Sequence, residues 1–378
     1  MLLSPMLKHL SIELNKCPSD TMVKMVMQEL MPILSNLCSL TVYGDANRIE
    51  LIPVWTFVQL RSLEITYEIS LTVSSLRSLL AFPELEELRL KIPDMDALAG
   101  IPLTPGFASL RDLKITANGL SDVVVFLEMT QPPHLCSFRL ECNRFLADTT
   151  VQSAMSELET ICSSFPLSLS HVWLRFSVAH DNVAYITSGG PTAAELLAPF
   201  RSRNDMRTIS FHFEDMLIEV TEQDLDSVQA LWPDITHFEF AFGDQVKSNI
   251  DWNYIVDSQF PSLPCVNSFV SAHPHLERLA LPSMSLMSLP DLTSLSSTPN
   301  FRLRRLRIPF FMHGPSIIEI SLLVDKLYPN LDLTDIKSTL TTGYQRGQHF
   351  DLLLFGLQAG RRGTHLLDGA SLLNFNML

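Results

Sequence analysis

The sequence predicts an α/β fold: a right-handed solenoid with a curved parallel sheet on its concave side and helices on its convex side. Two observations predict it. A six-residue phrase with three large apolar residues recurs at a fixed interval, and helical periodicity fills the space between copies. The regular copies are Leu60-Arg61-Ser62-Leu63-Glu64-Ile65, Leu85-Glu86-Glu87-Leu88-Arg89-Leu90, Leu110-Arg111-Asp112-Leu113-Lys114-Ile115 and Leu135-Cys136-Ser137-Phe138-Arg139-Leu140, each beginning 25 residues after the last.

The spacing dictates the shape. The last two apolar residues of each phrase stand two apart, so they share one face of a strand. A single strand of this kind cannot bury its apolar face. Stacked copies make a parallel sheet with a continuous apolar seam, which is the logic of a leucine-rich-repeat solenoid. Parallel neighbours need a crossover of about a dozen residues or more, usually helical.

Taken in order, the first copies are Leu7 to Ile12 and Leu37 to Val42. Ser19-Asp20 offers an N-cap for a helix through Met22, Met25, Val26 and Leu30 between them. Leu76, Leu79 and Leu80 form a helical stripe that ends at Phe82-Pro83, where proline stops the helix. The same corner is expected at Phe165-Pro166, Trp232-Pro233, His273-Pro274 and Tyr328-Pro329. After Leu140 the interval loosens. Asp148-Thr149 is expected to cap a helix over Val151 to Cys162, followed by the strand phrase Leu169 to Leu174.

His180 to Pro191 reads as an insertion loop, and Pro191 as the first turn of a helix over Ala193 to Leu197. The next phrase is Met206 to Phe211. Thr221-Glu222-Gln223-Asp224 resembles a capping box with Asp in place of Glu, ahead of the phrase Ile235 to Phe240. Gly243 to Pro264 reads as an irregular excursion. Leu276 to Leu281 and Leu303 to Ile308 close the clear series, with Pro282 to Asn300 expected as loop. A helix through Ile318, Leu322, Leu323 and Leu327 leads to a degraded unit at Leu331 and Leu333. The expected organisation is a solenoid of about 11–12 irregular units over residues 1–340, then a cap or poorly ordered tail over 341–378.

Composition bounds the function. With 46% hydrophobic and 18% charged residues, the 378-residue chain has ample material for a core. Its 27 basic and 41 acidic residues leave a net charge of −14, which repels nucleic acid and anionic membrane. None of the six cysteines forms C-x-x-C or zinc spacing, so buried reduced thiols and a cytoplasmic or nuclear location are expected. The start lacks the pattern of a secretory signal, and no window approaches the ~20 apolar residues that span a bilayer. Phosphate-cradling, nucleophile-elbow and zinc-protease motifs do not occur. His180-Asp181 beside a Gly-rich loop and the apolar Phe310 to Gly314 remain without a matching nucleophile or cofactor pattern. A non-enzymatic protein-binding scaffold is therefore expected, with no cofactor and no metal.

On the concave face, the central column reads Ser11, Thr41, Glu64, Arg89, Lys114, Arg139, Trp173, Ser210, Glu239, Ala280, Arg307. Like charges on adjacent strands repel, so Arg89, Lys114 and Arg139 ask for a reason. In one reading, Glu87, Asp112 and Glu141 pair with them diagonally and neutralise the face. In the other, Arg89, Lys114, Arg139, Trp173 and Arg175 form a strip that docks an acidic segment of a partner protein, since Trp and Arg tend to dominate binding energy.

The phrase F-P-x-L-x-x-L-x-L, seen at Phe82-Pro83-Glu84-Leu85-Glu86-Glu87-Leu88-Arg89-Leu90 and echoed at Tyr328-Pro329-Asn330-Leu331, resembles the leucine-rich-repeat region of fungal F-box-like proteins. The resemblance spans about Leu7 to Leu333. It implies that the repeats hold a protein target. It also implies a ubiquitin-ligase adaptor as partner, provided an F-box is supplied upstream of the repeats, which begin at Leu7. The alternative is a structural or regulatory repeat protein with no ubiquitin role.

Overall fold

The computed structural model describes residues 6–13, 29, 34–43, 59–68, 73–95, 106–145, 150–177, 191–216, 218–243, 260–286, 299–308, 310–313, 317–332, 353, 354, 356–358 and 360. The chain forms two compact units, Met1–Ala184 and Tyr185–Leu378.

In unit one, seven strands run parallel in sequence order: β1 (His9–Glu13), β2 (Ser39–Tyr43), β3 (Ser62–Glu68), β4 (Glu87–Lys91), β5 (Asp112–Ala117), β6 (Ser137–Cys142) and β7 (His171–Phe176). The register aligns Leu10, Leu40, Leu63, Leu88, Leu113, Phe138 and Val172 as successive partners. From β2 onward these side chains are buried, as are Val42, Ile65, Leu90, Ile115, Leu140 and Leu174 one step along. These are leucine-rich-repeat coils, with the apolar seam where the phrase places it.

The phrase also settles the hydrogen bonding at each entry to a strand. The residue after its first leucine offers a carbonyl that accepts two amides from the next coil, which both of its lone pairs allow. Arg61 O accepts from Glu86 and Glu87 N, Glu86 O from Arg111 and Asp112 N, and Arg111 O from Cys136 and Ser137 N. One fixed interval therefore repeats one fixed bond pair.

Among the described residues, three helices lie between these strands: α1 (Val73–Leu80), α2 (Leu120–Thr130) and α3 (Val151–Ser163). Leu76, Leu79 and Leu80 of α1 are buried, and Phe82 turns inward at the corner. The Phe165 corner does the same and rests on Phe138, with ring centroids 4.6 Å apart. The N-cap of α3 is Thr150, whose side chain accepts from Ser153 N at 3.2 Å. The expected cap at Asp148-Thr149 is thus displaced, because Thr150 places its hydroxyl over the third helical amide. In α2, Asp122 accepts from Gly119 N and also from Met95 N at 2.8 Å, tying the helix start to the previous coil.

Unit two contains α4 (Ala193–Leu197), β8 (Thr208–Phe213), α5 (Glu222–Val228), β9 (His237–Phe242), α6 (Leu263–Ala272), β10 (Arg278–Ala280), β11 (Ser283–Leu286), β12 (Arg305–Arg307), β13 (Phe310–His313) and α7 (Ile317–Leu327). Strands β8, β9, β10 and β12 are parallel neighbours in that order, aligning Ile209, Phe238, Leu279 and Leu306. Phenylalanine replaces leucine over much of this core: Phe211 stacks on Phe240 at 5.0 Å, and Phe238 meets Phe269 of α6 at 5.1 Å. The capping box of α5 forms as expected, with Thr221 N donating to Asp224 and Asp224 N to the Thr221 hydroxyl. Helix α4 has the expected bounds, but its N-cap is Thr192, paired with Glu195, so Pro191 stands outside the first turn.

The expectation of loop over Pro282 to Asn300 is corrected in part. Residues Ser283–Leu286 form β11, which pairs in parallel with β13 in a separate two-stranded sheet. Pro282 lacks an N–H, so the ladder breaks after Leu281 N donates to Arg307 O and resumes at Ser283. Four-residue strands behind a proline are too short to carry a visible period. In the tail, Leu354 and Gln358 are buried, and the Gln358 amide donates to Tyr328 O at 3.3 Å.

Several sequence expectations lie outside the described residues: the helix through Met22, Met25, Val26 and Leu30, the loop from His180 through Gly190 with His180-Asp181, most of the excursion from Gly243, and Leu333. Among the described residues, no helix is long and apolar enough to cross a membrane.

Candidate functional site

The open face of the unit-one sheet carries three polar columns, because every second strand residue points away from the seam. Pairing in register places Glu64, Arg89, Lys114, Arg139 and Trp173 side by side on β3 to β7. One column along, Lys91, Thr116, Glu141 and Arg175 are successive partners. All five residues singled out from the sequence therefore stand on one face. Arg89, Arg139 and Arg175 are exposed, while Lys114 and Trp173 are half-buried.

The cations are not equivalent. Arg89 donates to Glu64 in its own column at 3.1 Å, and Lys114 pairs with Glu141 at 2.8 Å. Of the three acids expected to neutralise the ladder, only Glu141 does so. Glu87 instead accepts from the Ser62 hydroxyl at 3.2 Å, and Asp112 makes no ion pair among the described residues. Both carboxylates sit in the column of the strand starts, between Ser62 and Ser137. Glu64, which the sequence reading did not weigh as a partner, is in reach because β3 and β4 lie directly side by side.

Arg139 differs. Its guanidinium lies over the Trp173 ring, 4.5 Å from the centroid. Trp173 in turn stacks on His171, two residues earlier on the same strand, with centroids 5.7 Å apart and rings 8° from parallel. A cation over an indole face keeps its charge. The result on β6 and β7 is a platform of Arg139, Trp173 and His171, with Arg175 beside it. His171 was missed by sequence reasoning, although its signal was present: alternation places it on the same face as Trp173.

The chemistry available elsewhere is limited. Burial pushes the Cys142 thiol up to about 12 and the Cys265 thiol up to about 11, so neither is an activated nucleophile. Among the described residues no group of three His, Cys, Asp or Glu side chains could hold a metal ion.

No protein-family model matches the sequence. No curated protein matches it either. Among solved structures, the leucine-rich-repeat-containing protein LegL7 from Legionella pneumophila is similar. The likeness covers 85% of this chain and 99% of that one, at 15% identity and a TM-score of 0.39. It carries nothing about what this chain binds.

Proposed function

We propose that the chain is a non-enzymatic protein-binding scaffold, and that its contact surface on unit one is the strip of Arg89, Lys114, Arg139, Trp173 and Arg175. The observation that carries this reading is the Arg139–Trp173 pair. It is a half-buried aromatic surface with an exposed charge on it, and no acid of this chain is paired with that charge among the described residues. Trp and Arg side chains of this kind are the ones that concentrate binding energy at interfaces. Arg89 and Lys114, already paired within the face, act as the rim.

The finer reading is target recognition for an F-box-type ubiquitin-ligase receptor. Its support is the F-P-x-L-x-x-L-x-L phrase at Phe82 to Leu90 and its resemblance to fungal F-box-like repeats. A ubiquitin-ligase adaptor that co-purifies stoichiometrically with the full-length gene product supports it; recovery of targets with no adaptor removes the ubiquitin role and leaves the scaffold.

The scaffold reading is tested with a partner recovered by the native chain. Retention of that partner is compared for R139E and W173A against R77E, on the exposed surface of α1. The expectation is a loss of at least tenfold in the first two only. Equal retention by all three places the contact elsewhere.

A further inference from the structure

The sheet face of unit two carries a second cationic site of a different kind. Strand pairing sets Arg278 on β10 opposite Arg305 on β12, and Ala280 opposite Arg307. Arg278, Ala280, Arg305 and Arg307 all point to the same face, since positions two apart on a strand do so. Arg278 and Arg307 are thus diagonal neighbours across the two strands, at a spacing of about 7–8 Å. Between them stands Ala280, a side chain too short to fill the gap.

Among the described residues Arg278 and Arg307 make no ion pair. Arg305 stands beside them and adds charge to the row, although it has contacts of its own. Among the described residues, Glu239 stands on this face opposite Ala280, and it accepts from the Ser210 hydroxyl at 3.1 Å. Glu277 precedes Arg278 and lies one position off the face by the same alternation. Like-charged guanidinium groups on adjacent strands destabilise the sheet unless something offsets them.

We propose that Arg278 and Arg307 form an anion-binding pair that holds an extended acidic segment of a partner protein, read as two carboxylates separated by one residue. The spacing argues for that ligand. An extended chain rises about 3.2–3.4 Å per residue, so carboxylates at i and i+2 fall about 6.5–7 Å apart on one side. That matches the diagonal between the two arginines, and each guanidinium can take one carboxylate with two parallel hydrogen bonds. Charge argues against nucleic acid as the occupant. A long polyanion meets the field of a chain with net charge −14, whereas a short segment meets the local arginines. Fields from more distant groups are screened beyond about 8–10 Å at physiological salt.

This site does not depend on the Arg139–Trp173 platform, and one experiment separates the two. The probe is a fluorescein-labelled octapeptide of alternating Glu and Gly, titrated by anisotropy into the full chain at low and physiological salt. Controls are the same peptide with Gln in place of Glu, one with its four Glu contiguous, and an octanucleotide. The expected result is salt-sensitive binding of the alternating peptide, several-fold weaker for the contiguous one and undetectable for the Gln one. R307E and R278Q are expected to weaken it at least tenfold and severalfold, with R77E, on the exposed surface of α1, unchanged. Arg307 is exposed, so R307E tests the site even if a change at half-buried Arg278 disturbs folding. Unchanged affinity in R307E, absence of binding by the native chain, or tighter binding of the octanucleotide overturns the inference. Loss of binding in K114E/R139E alone moves the peptide to unit one, which overturns this site and leaves the scaffold reading standing.

Discussion

Unit one and unit two use the same strand phrase, but they differ in how completely their polar groups find partners. In unit one, Arg89 meets Glu64, Lys114 meets Glu141, and the buried Asp122 of α2 is tied to backbone amides. In unit two, Arg278 and Arg307 make no ion pair among the described residues. The buried Trp232 Nε1, His273 Nε2 and Ser283 Oγ likewise have no hydrogen-bond partner. The difference follows from the interval. Where each coil is 25 residues long, a given polar position always meets the same position of its neighbour. Where coil length changes, as between Leu276 and the phrases around it, the strands still pair in register, but the residues brought together are not complementary, Arg278 standing beside Arg305. A repeat protein satisfies its polar groups through its period, and surface left over from a broken period becomes available for partners.

Four measurements break or sharpen this contrast, the largest first. Leu113 is buried on a strand with neighbours on both sides, whereas Leu306 is half-buried on the last of the described strands of its sheet. Leu113→Ala is expected to cost about 3–5 kcal/mol and Leu306→Ala less than half of that, read as shifts in urea denaturation. Equal costs contradict the idea that unit one is the more tightly fitted.

Next come the helix-start aspartates. Asp122 is buried and serves amides of two coils, while Asp224 serves its own cap alone. Asp122→Ala is expected to cost about 2–3 kcal/mol, since it strands a buried amide. Asp224→Ala is expected to cost about 1 kcal/mol, the usual value of a cap. The reverse order in thermal melts would remove the inter-coil role of Asp122.

A pH titration of stability probes His273. Burial holds its imidazole below the usual value, although Nδ1 donates to Phe269 O at 2.7 Å, and that bond acts in the opposite sense. The unfolded chain therefore takes up the proton first, at about pH 6.5. Stability from this group is fully present above that pH and is lost as pH falls toward the lowered folded value. His273→Phe is expected to flatten the fall; an unchanged acid limb in the variant assigns it to carboxylates.

The smallest effect concerns the exposed pairs of unit one. Glu64→Gln and Glu141→Gln are expected to change stability by no more than about 1 kcal/mol, as solvent-exposed ion pairs do. Each is expected to strengthen retention of the partner recovered through the unit-one strip, because it frees Arg89 or Lys114. A stability loss well above that figure means that the pairs hold the sheet rather than merely mask its charge.

Much of this arrangement could be read before any coordinates. The leucines of L-x-x-L-x-L marked the seam from β1 to β10 and β12, and the register came out as the phrase implied, Leu63 beside Leu88, Leu113 and Phe138. The aromatic-proline corners were also visible, since Phe82, Phe165, Trp232 and Tyr328 all turn inward. The partners of the charged residues were less visible. Glu64 was passed over for Glu87, and His171 was not seen beside Trp173. The row of Arg278 and Arg305 was missed because attention to the central column hides the column next to it. Strands β11 and β13 escaped because they follow prolines and are four residues long.

Periodicity alone determined which residues are interior and which strand follows which, because a strand that alternates with period two and recurs at a constant interval has one way to bury its apolar side. Only the tertiary structure decided which charges cancel. That outcome depends on side-chain reach of a few ångströms between neighbouring strands: Arg89 finds a carboxylate at 3.1 Å, Arg139 finds an indole at 4.5 Å, and Arg278 and Arg307 find no carboxylate among the described residues.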